Sequence, residues 1–160
     1  MSRGYLLALI ATFAIALSGC YSGVLLKPIQ GPAPKVDPLM DPRGTFKAGR
    51  FYVDLDNITK PIFHEECIGQ WEPATSPKPS TANASDADDL SAVWDVVYGV
   101  GYYEKTVQKA KLCARGSGKS KKGTVLQAEM CQFEERAGGK LKIVKKGVAK
   151  DNRNNIYQIQ

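Results

Sequence analysis

Histidine is nearly absent from this chain of 160 residues, and His64 is its single example. A zinc site or a serine hydrolase triad would have to use His64, yet no CxxC, HxxxH or GxSxG motif accompanies it. This scarcity disfavours an enzyme, a metal site and any bound cofactor. A hydrolase or metal-dependent enzyme that relies on His64 remains the rival hypothesis.

Long hydrophobic runs are also missing, because the longest apolar stretch extends only over the 13 residues from Tyr5 to Leu17. As a helix it would measure about 20 Å, which is short of the ~30 Å hydrocarbon core of a bilayer. Arg3 is the only charged residue before Cys20. A short charged start followed by a short apolar run is typical of a signal peptide, predicted here over residues 1–19.

The apolar run ends in Leu17-Ser18-Gly19-Cys20. This segment resembles the lipobox of bacterial lipoproteins. The resemblance implies that Cys20 is lipidated, becomes the first residue of the mature protein and anchors it to a membrane of the cell envelope. Tyr21 in place of Asp implies the outer membrane, facing the periplasm, if the organism is Gram-negative. The alternative is an ordinary signal peptide with an incidental cysteine.

Charge is distributed unevenly along the mature chain. Residues 20–104 contain 7 Lys or Arg against 12 Asp or Glu, whereas residues 105–160 contain 14 against 4. A basic half indicates an anionic partner, such as an anionic envelope component or an acidic protein. Nucleic acid is disfavoured because no motif interleaves aromatic residues with the lysines. The candidate patch comprises Lys119, Lys121, Lys122, Lys142, Lys145 and Lys146, and the alternative is a set of solvated strand faces.

Proline divides the mature chain into two parts. Five of the nine prolines lie between Tyr21 and Gly44, so residues 20–48 are predicted to form a lipidated, Pro- and Gly-rich tether. The alternative is that its apolar segments, 24–26 and 39–40, pack along the domain. Residues 49–160 are predicted to form a single domain, interrupted by a flexible Pro-rich loop over 72–85.

Residue patterns within the domain predict both strands and a helix. Leu90, Val93, Trp94, Val97 and Tyr98 recur at helical spacing behind a capping segment at 85–88. Strands are predicted at 50–55 and around 67–71, with hairpins formed by 111–115 and 125–130 and by 147–150 and 155–159. The predicted fold class is therefore α+β, a small antiparallel sheet carrying one main amphipathic helix.

The segment Gly116-Ser117-Gly118-Lys119-Ser120 superficially matches the end of a phosphate-binding loop. That motif requires a glycine five positions before Gly118, and Cys113 occupies that position. Residues 124–130 also alternate like a strand and do not open a helix. Residues 116–123 are therefore predicted to form a hairpin loop, without a nucleotide site.

Three cysteines remain after Cys20, so an oxidising compartment allows one disulfide and leaves one thiol. If the strands flanking 116–123 paired symmetrically, Cys113 would lie roughly 17 Å from Cys131. That distance exceeds the reach of a disulfide. Cys67 is then predicted to pair with Cys113 or Cys131.

Together these features predict a membrane-anchored envelope lipoprotein with a non-enzymatic role. It would act as a structural or interaction module through its basic C-terminal half. Besides the His64 enzyme, a carrier that binds a small ligand on the apolar face of the sheet remains an alternative.

Overall fold

Eight strands succeed one another along the chain, and each pairs antiparallel with the next. The computed structural model describes residues 23–32, 37–56, 65–74 and 90–160. The strands are β1 (Val24–Gln30), β2 (Leu39–Met40), β3 (Arg50–Asp54), β4 (Glu66–Ala74), β5 (Leu112–Lys119), β6 (Val125–Ala137), β7 (Lys140–Asp151) and β8 (Ile156–Ile159). Two short helices, α1 (Ser91–Tyr98) and α2 (Tyr102–Lys105), and a 3₁₀ turn (Val107–Lys109) connect β4 to β5.

The first and last strands also pair, with Leu26 opposite Ile159, and this pairing closes the sheet into a barrel. The predicted α+β class is therefore wrong. The amphipathic stripe does form a helix, which begins at Ser91 with Leu90 at its N-cap. It lies on a closed barrel, however, and is too short to be a main structural layer. The pairing of β1 with β8 joins opposite ends of the chain, which residue periodicity does not reveal.

The segment predicted as a tether supplies two of the strands. Leu26 in β1 and Met40 in β2 are fully buried, so the alternative that its apolar segments pack with the domain is the correct one. Pro28 lies in β1 next to a register shift between Pro28 and Gln30, a position where the missing N–H is tolerated. The predicted loop also starts late, because β4 continues through Ala74; residues 75–85 lie outside the described part.

Large side chains fill the inside of the barrel. Phe51 and Trp71 meet edge to face at 5.1 Å between ring centroids. A Cβ added at Gly116 would lie 2.2 Å from Cδ2 of Phe51, and one at Gly118 would lie 2.6 Å from Cδ1. These glycines therefore belong to β5 and make room for the Phe51 ring. The predicted hairpin is confirmed, but its loop is shorter and spans only 120–124.

The helices cover the outer face of β5, β6 and β7. Leu90, Val93 and Trp94 are buried there against Cys131, Phe133 and Val148. Glu129 of β6 is completely buried beneath α1, where its carboxylate accepts hydrogen bonds from Trp94 Nε1 at 2.7 Å and Arg115 Nε at 2.8 Å. One outer face of the barrel therefore forms a second hydrophobic core around a paired charge.

Strands β6 and β7 extend beyond the barrel. β5 pairs with β6 only as far as Gln132, and β8 pairs with β7 only as far as Gly147. We call the remaining two-stranded ribbon, residues 133–146, the arm. Gly138 and Gly139 form its tip with φ of 59° and 78°, the left-handed conformation that a two-residue hairpin turn requires. No strand was predicted over 131–146.

The barrel has two distinct ends. Turns 120–124 and 152–155 lie together at one end, called the turn end, where the Asn152 side chain donates one hydrogen bond to Gly123 O and accepts one from Val125 N. The arm projects from the opposite end, called the arm end. β1 also begins at the arm end, because Val24 lies toward it and Gln30 pairs with Ile156 near the turn end.

Candidate functional site

The six lysines predicted to form one anionic-partner patch lie at opposite ends of the barrel. Lys119, Lys121 and Lys122 lie at the turn end, while Lys142, Lys145 and Lys146 lie on the arm. Asp151 marks the turn end of β7, and Lys142 lies nine residues along the strand from it. At about 3.3 Å per residue the separation is roughly 30 Å. The two groups cannot form one continuous surface.

The arm carries the larger concentration of positive charge that is left without a counter-charge. It contains five Lys or Arg against two Glu. Glu134 is paired with Lys111, and Glu135 with Lys146. The remaining cations have no salt bridge to a described carboxylate; they are Arg136, Lys140, Lys142 and Lys145. All four are exposed, so the arm presents a positive surface to solvent.

The arm also exposes two large apolar side chains. Leu141 and Ile143 alternate with Lys140 and Lys142 and therefore point to the opposite side of the ribbon. Leu141 is 60% exposed and Ile143 61% exposed. Arg136 lies opposite Leu141 and Glu134 lies opposite Ile143, so the same face also carries charged side chains.

Lys146 holds the base of the arm in place. Its Nζ donates to Glu135 Oε1 at 2.8 Å and to Tyr102 Oη at 3.4 Å, and it lies 5.8 Å from the centroid of the Phe133 ring. The hydrogen bond to Glu135 raises the pKa of Lys146, against the lowering effect of burial. Lys146 is therefore a positioning residue, and Lys140 replaces it among the candidate binding residues.

Glu65 organises the turn end and is 7% exposed. Its Oε1 accepts hydrogen bonds from Ser120 Oγ at 2.6 Å and from Thr124 Oγ1. Burial raises the pKa of Glu65, but these hydrogen bonds and the charges of Arg153 and Lys122 together hold it below its usual value. Through these contacts Glu65 links the loop before β4 to the turns 120–124 and 152–155. The hydroxyl groups of Ser120 and Thr124 have Glu65 as their acceptor. This arrangement is consistent with a structural role.

The disulfide joins Cys113 to Cys131, so the predicted bridge from Cys67 is wrong. The turn lies at 120–124, later than the predicted centre of the loop, and this register places Cys113 directly opposite Cys131. Cys67 is free and faces the barrel interior. Burial raises the pKa of its thiol to about 12, with Glu65 adding to the effect, so the thiol is unreactive at neutral pH.

A cleft of about 280 Å³ lies on the outside of β4, β5 and β6, beside Leu90. Its polar lining includes Gln70, Glu72, Arg115 and Gln127. Arg115 is already bound to Glu129, so the one cation in the cleft is neutralised. Large side chains, including Phe51, Trp71 and Tyr157, pack inside the barrel.

Comparison with protein-family models, with curated proteins and with solved structures gives no match. Across 23–32, 37–56, 65–74 and 90–160, no three Cys, His, Asp or Glu side chains come together as a metal site. No helix in the same part of the chain is long and apolar enough to cross a membrane.

Three predicted features lie outside the described residues: the signal peptide with Cys20, His64, and the helix-capping segment at 85–88. The arm is the feature that prediction from the sequence missed. Its signal was the Gly138-Gly139 pair, a dipeptide that favours a two-residue hairpin turn, followed by the alternating residues 140–143.

Proposed function

We propose that this chain is a lipid-anchored protein of the bacterial cell envelope and acts as a non-enzymatic interaction module through the arm. The lipobox-like segment ending at Cys20 supports the anchor. The observation that carries the interaction role is the arm itself, a ribbon projecting from the barrel with four exposed cations that have no described carboxylate partner.

The geometry favours a binding role over catalysis. The three buried carboxylates of the described residues are committed to structural contacts. Glu65 accepts from Ser120 and Thr124, Glu129 from Trp94 and Arg115, and Asp151 from Asn155 and Tyr157. The buried thiol of Cys67 is protonated at neutral pH. Unbalanced charge on a projecting ribbon, beside buried carboxylates and a buried thiol that the described residues already hold paired or protonated, suits a protein that binds an anionic partner.

Mass spectrometry of the native protein tests the anchor. We expect a mature chain that begins at Cys20 and carries acyl chains, and a Cys20→Ala variant that fails to mature. An unmodified Cys20 or a retained leader would contradict the anchor.

Complementation of a deletion strain tests the interaction role. A Lys140→Glu/Lys142→Glu variant should fail to restore the wild-type phenotype at equal protein abundance. The matched variant Lys119→Glu/Lys121→Glu makes the same charge change at the turn end and should restore it, as should His64→Ala. Loss of function in His64→Ala alone would favour the rival enzyme.

A further inference from the structure

The arm and the start of β1 lie at the same end of the barrel. The distances that they extend from it can be compared through the strand pairing. Leu26 pairs with Ile159, and Ile159 pairs with Gly147, so these residues lie at one level across three strands. From that level, Gly23 is three residues toward the arm end, and Lys140 is seven residues toward it. Counted along the strands at roughly 3.3 Å per residue, the tip of the arm extends about 13 Å beyond Gly23, and the tilt of strands in a closed barrel changes their separation along the barrel axis by a few ångströms.

The length of chain between Gly23 and the candidate lipidation site limits how far apart the anchor and the barrel can be. Cys20 is three residues before Gly23, and three residues span at most about 11 Å. An anchor at Cys20 and the tip of the arm can therefore reach one plane within a few ångströms. The predicted long tether would have separated them, but β1 leaves no room for it.

From this placement we infer that the partner of the arm is the anionic lipid surface that holds the acyl chains of Cys20. The inference rests on the proposed function and specifies its partner. The arm is then a second contact with the bilayer, and it orients the barrel with its turn end pointing away from the membrane.

The chemistry of the two faces fits a lipid surface. Lys140 and Lys142 can reach headgroup phosphates, each lysine near an anionic bilayer strengthening binding about fivefold. Leu141 and Ile143 can enter the apolar boundary below the headgroups, while Arg136 and Lys145, which share their face, extend long side chains back to the phosphates. A membrane interface offers both environments within a few ångströms, and long lysine side chains can span them.

A strand of another protein is a poorer match for the arm. Lysines along a strand edge are the usual means of preventing a further strand from adding to it. A folded acidic protein would also have to fit between the barrel and the bilayer, within about 11 Å of the anchor point. That space accommodates headgroups more readily than a domain.

Native lipidated protein reconstituted into vesicles provides the test. A Leu141→Cys variant labelled with an environment-sensitive dye reports on the arm, and Lys121→Cys is the matched probe at the turn end. Labelling is selective because Cys67 is buried and Cys113 is bonded to Cys131. We expect a blue shift at position 141, and none at 121, in vesicles of phosphatidylethanolamine with phosphatidylglycerol. Adding Lys140→Glu/Lys142→Glu should remove most of the shift, whereas Lys119→Glu/Lys121→Glu should leave it.

Flotation of the same vesicles distinguishes failure of the lipid contact from failure of the anchor. Protein that floats without a shift at position 141 would overturn the lipid contact and leave the anchor standing. Protein that does not float would overturn both. An equal shift in vesicles without phosphatidylglycerol would remove the role of the lysines and overturn the inference. A photocrosslinker at Ile143 that yields protein adducts in cells, and no lipid adducts, would assign the arm to a protein instead.

Discussion

The two tryptophans provide a matched test of the buried charge on the outer face of the barrel. Both are buried, Trp94 at 0% and Trp71 at 1% exposure. Trp94 Nε1 donates to Glu129 at 2.7 Å, whereas Trp71 Nε1 has no hydrogen-bond partner among the described residues. Changing each to Phe removes the same atoms and creates a similar cavity, so the two variants differ mainly in the fate of the indole N–H.

The expected difference in unfolding free energy follows from the surroundings of the two indole N–H groups. Trp94→Phe leaves an oxygen of Glu129 without its donor where water has no access, and a hydrogen bond to a charged group contributes about 1.5–3 kcal/mol. Trp71→Phe removes a buried donor that already lacks an acceptor, which offsets part of the cost of the cavity. We therefore expect Trp94→Phe to lower the free energy of unfolding by at least about 2 kcal/mol more than Trp71→Phe does.

Urea unfolding followed by fluorescence measures this difference, because each variant retains one tryptophan as a reporter. In thermal unfolding, 2 kcal/mol corresponds to about 4–8 °C in Tm for a chain of this size. A double-mutant cycle with Glu129→Gln should show that Trp94 and Glu129 are coupled. Equal losses in the two Phe variants, or no coupling, would refute the proposed contribution of the hydrogen bond.

Three further predictions concern the barrel and its turn end. Gly116→Ala should destabilise the protein by about 1–3 kcal/mol because its Cβ meets the Phe51 ring, and Phe51→Leu should recover part of the loss in urea unfolding; an unchanged midpoint in Gly116→Ala would contradict the close packing. Reducing the Cys113–Cys131 bond, which closes 18 residues of chain, should cost about 3 kcal/mol, whereas the same treatment of a Cys113→Ala/Cys131→Ala variant should change nothing. Because the folded pKa of Glu65 is lowered, its contribution is present above about pH 4.5 and is lost as pH falls further, so Glu65→Gln should show a smaller drop in Tm between pH 6 and pH 3; an equal drop would count against it.

Local patterns predicted several elements correctly. The aromatic and β-branched residues 50–55 form β3, the alternating segments around Gly118 form the β5–β6 hairpin, and Trp94 lies on the apolar stripe of α1. These elements depend on neighbours within a few residues. Residue periodicity records such neighbours directly.

Closure of the barrel could not be predicted in the same way. Pro28 argues locally against a strand, and the residue that it pairs with, Tyr157 of β8, is about 130 residues away in the chain. The error in the disulfide came from the register of the β5–β6 hairpin, because the predicted centre of the turn placed a different residue opposite Cys113. The six lysines do not form the single predicted patch, because composition gives the number of charges and not the end of the strand at which each one lies.

Because β1 pairs with β8, the barrel can close only after β8 has been synthesised. The first strand to be synthesised finds its second neighbour only when the last residues, Ile156–Ile159, have been made. Until then the edges of β1 and β7 are both open, and each is a template for pairing with another chain. Any product that stops before Ile156 would keep those edges permanently, so loss of the last five residues should convert a closed barrel into an aggregating sheet.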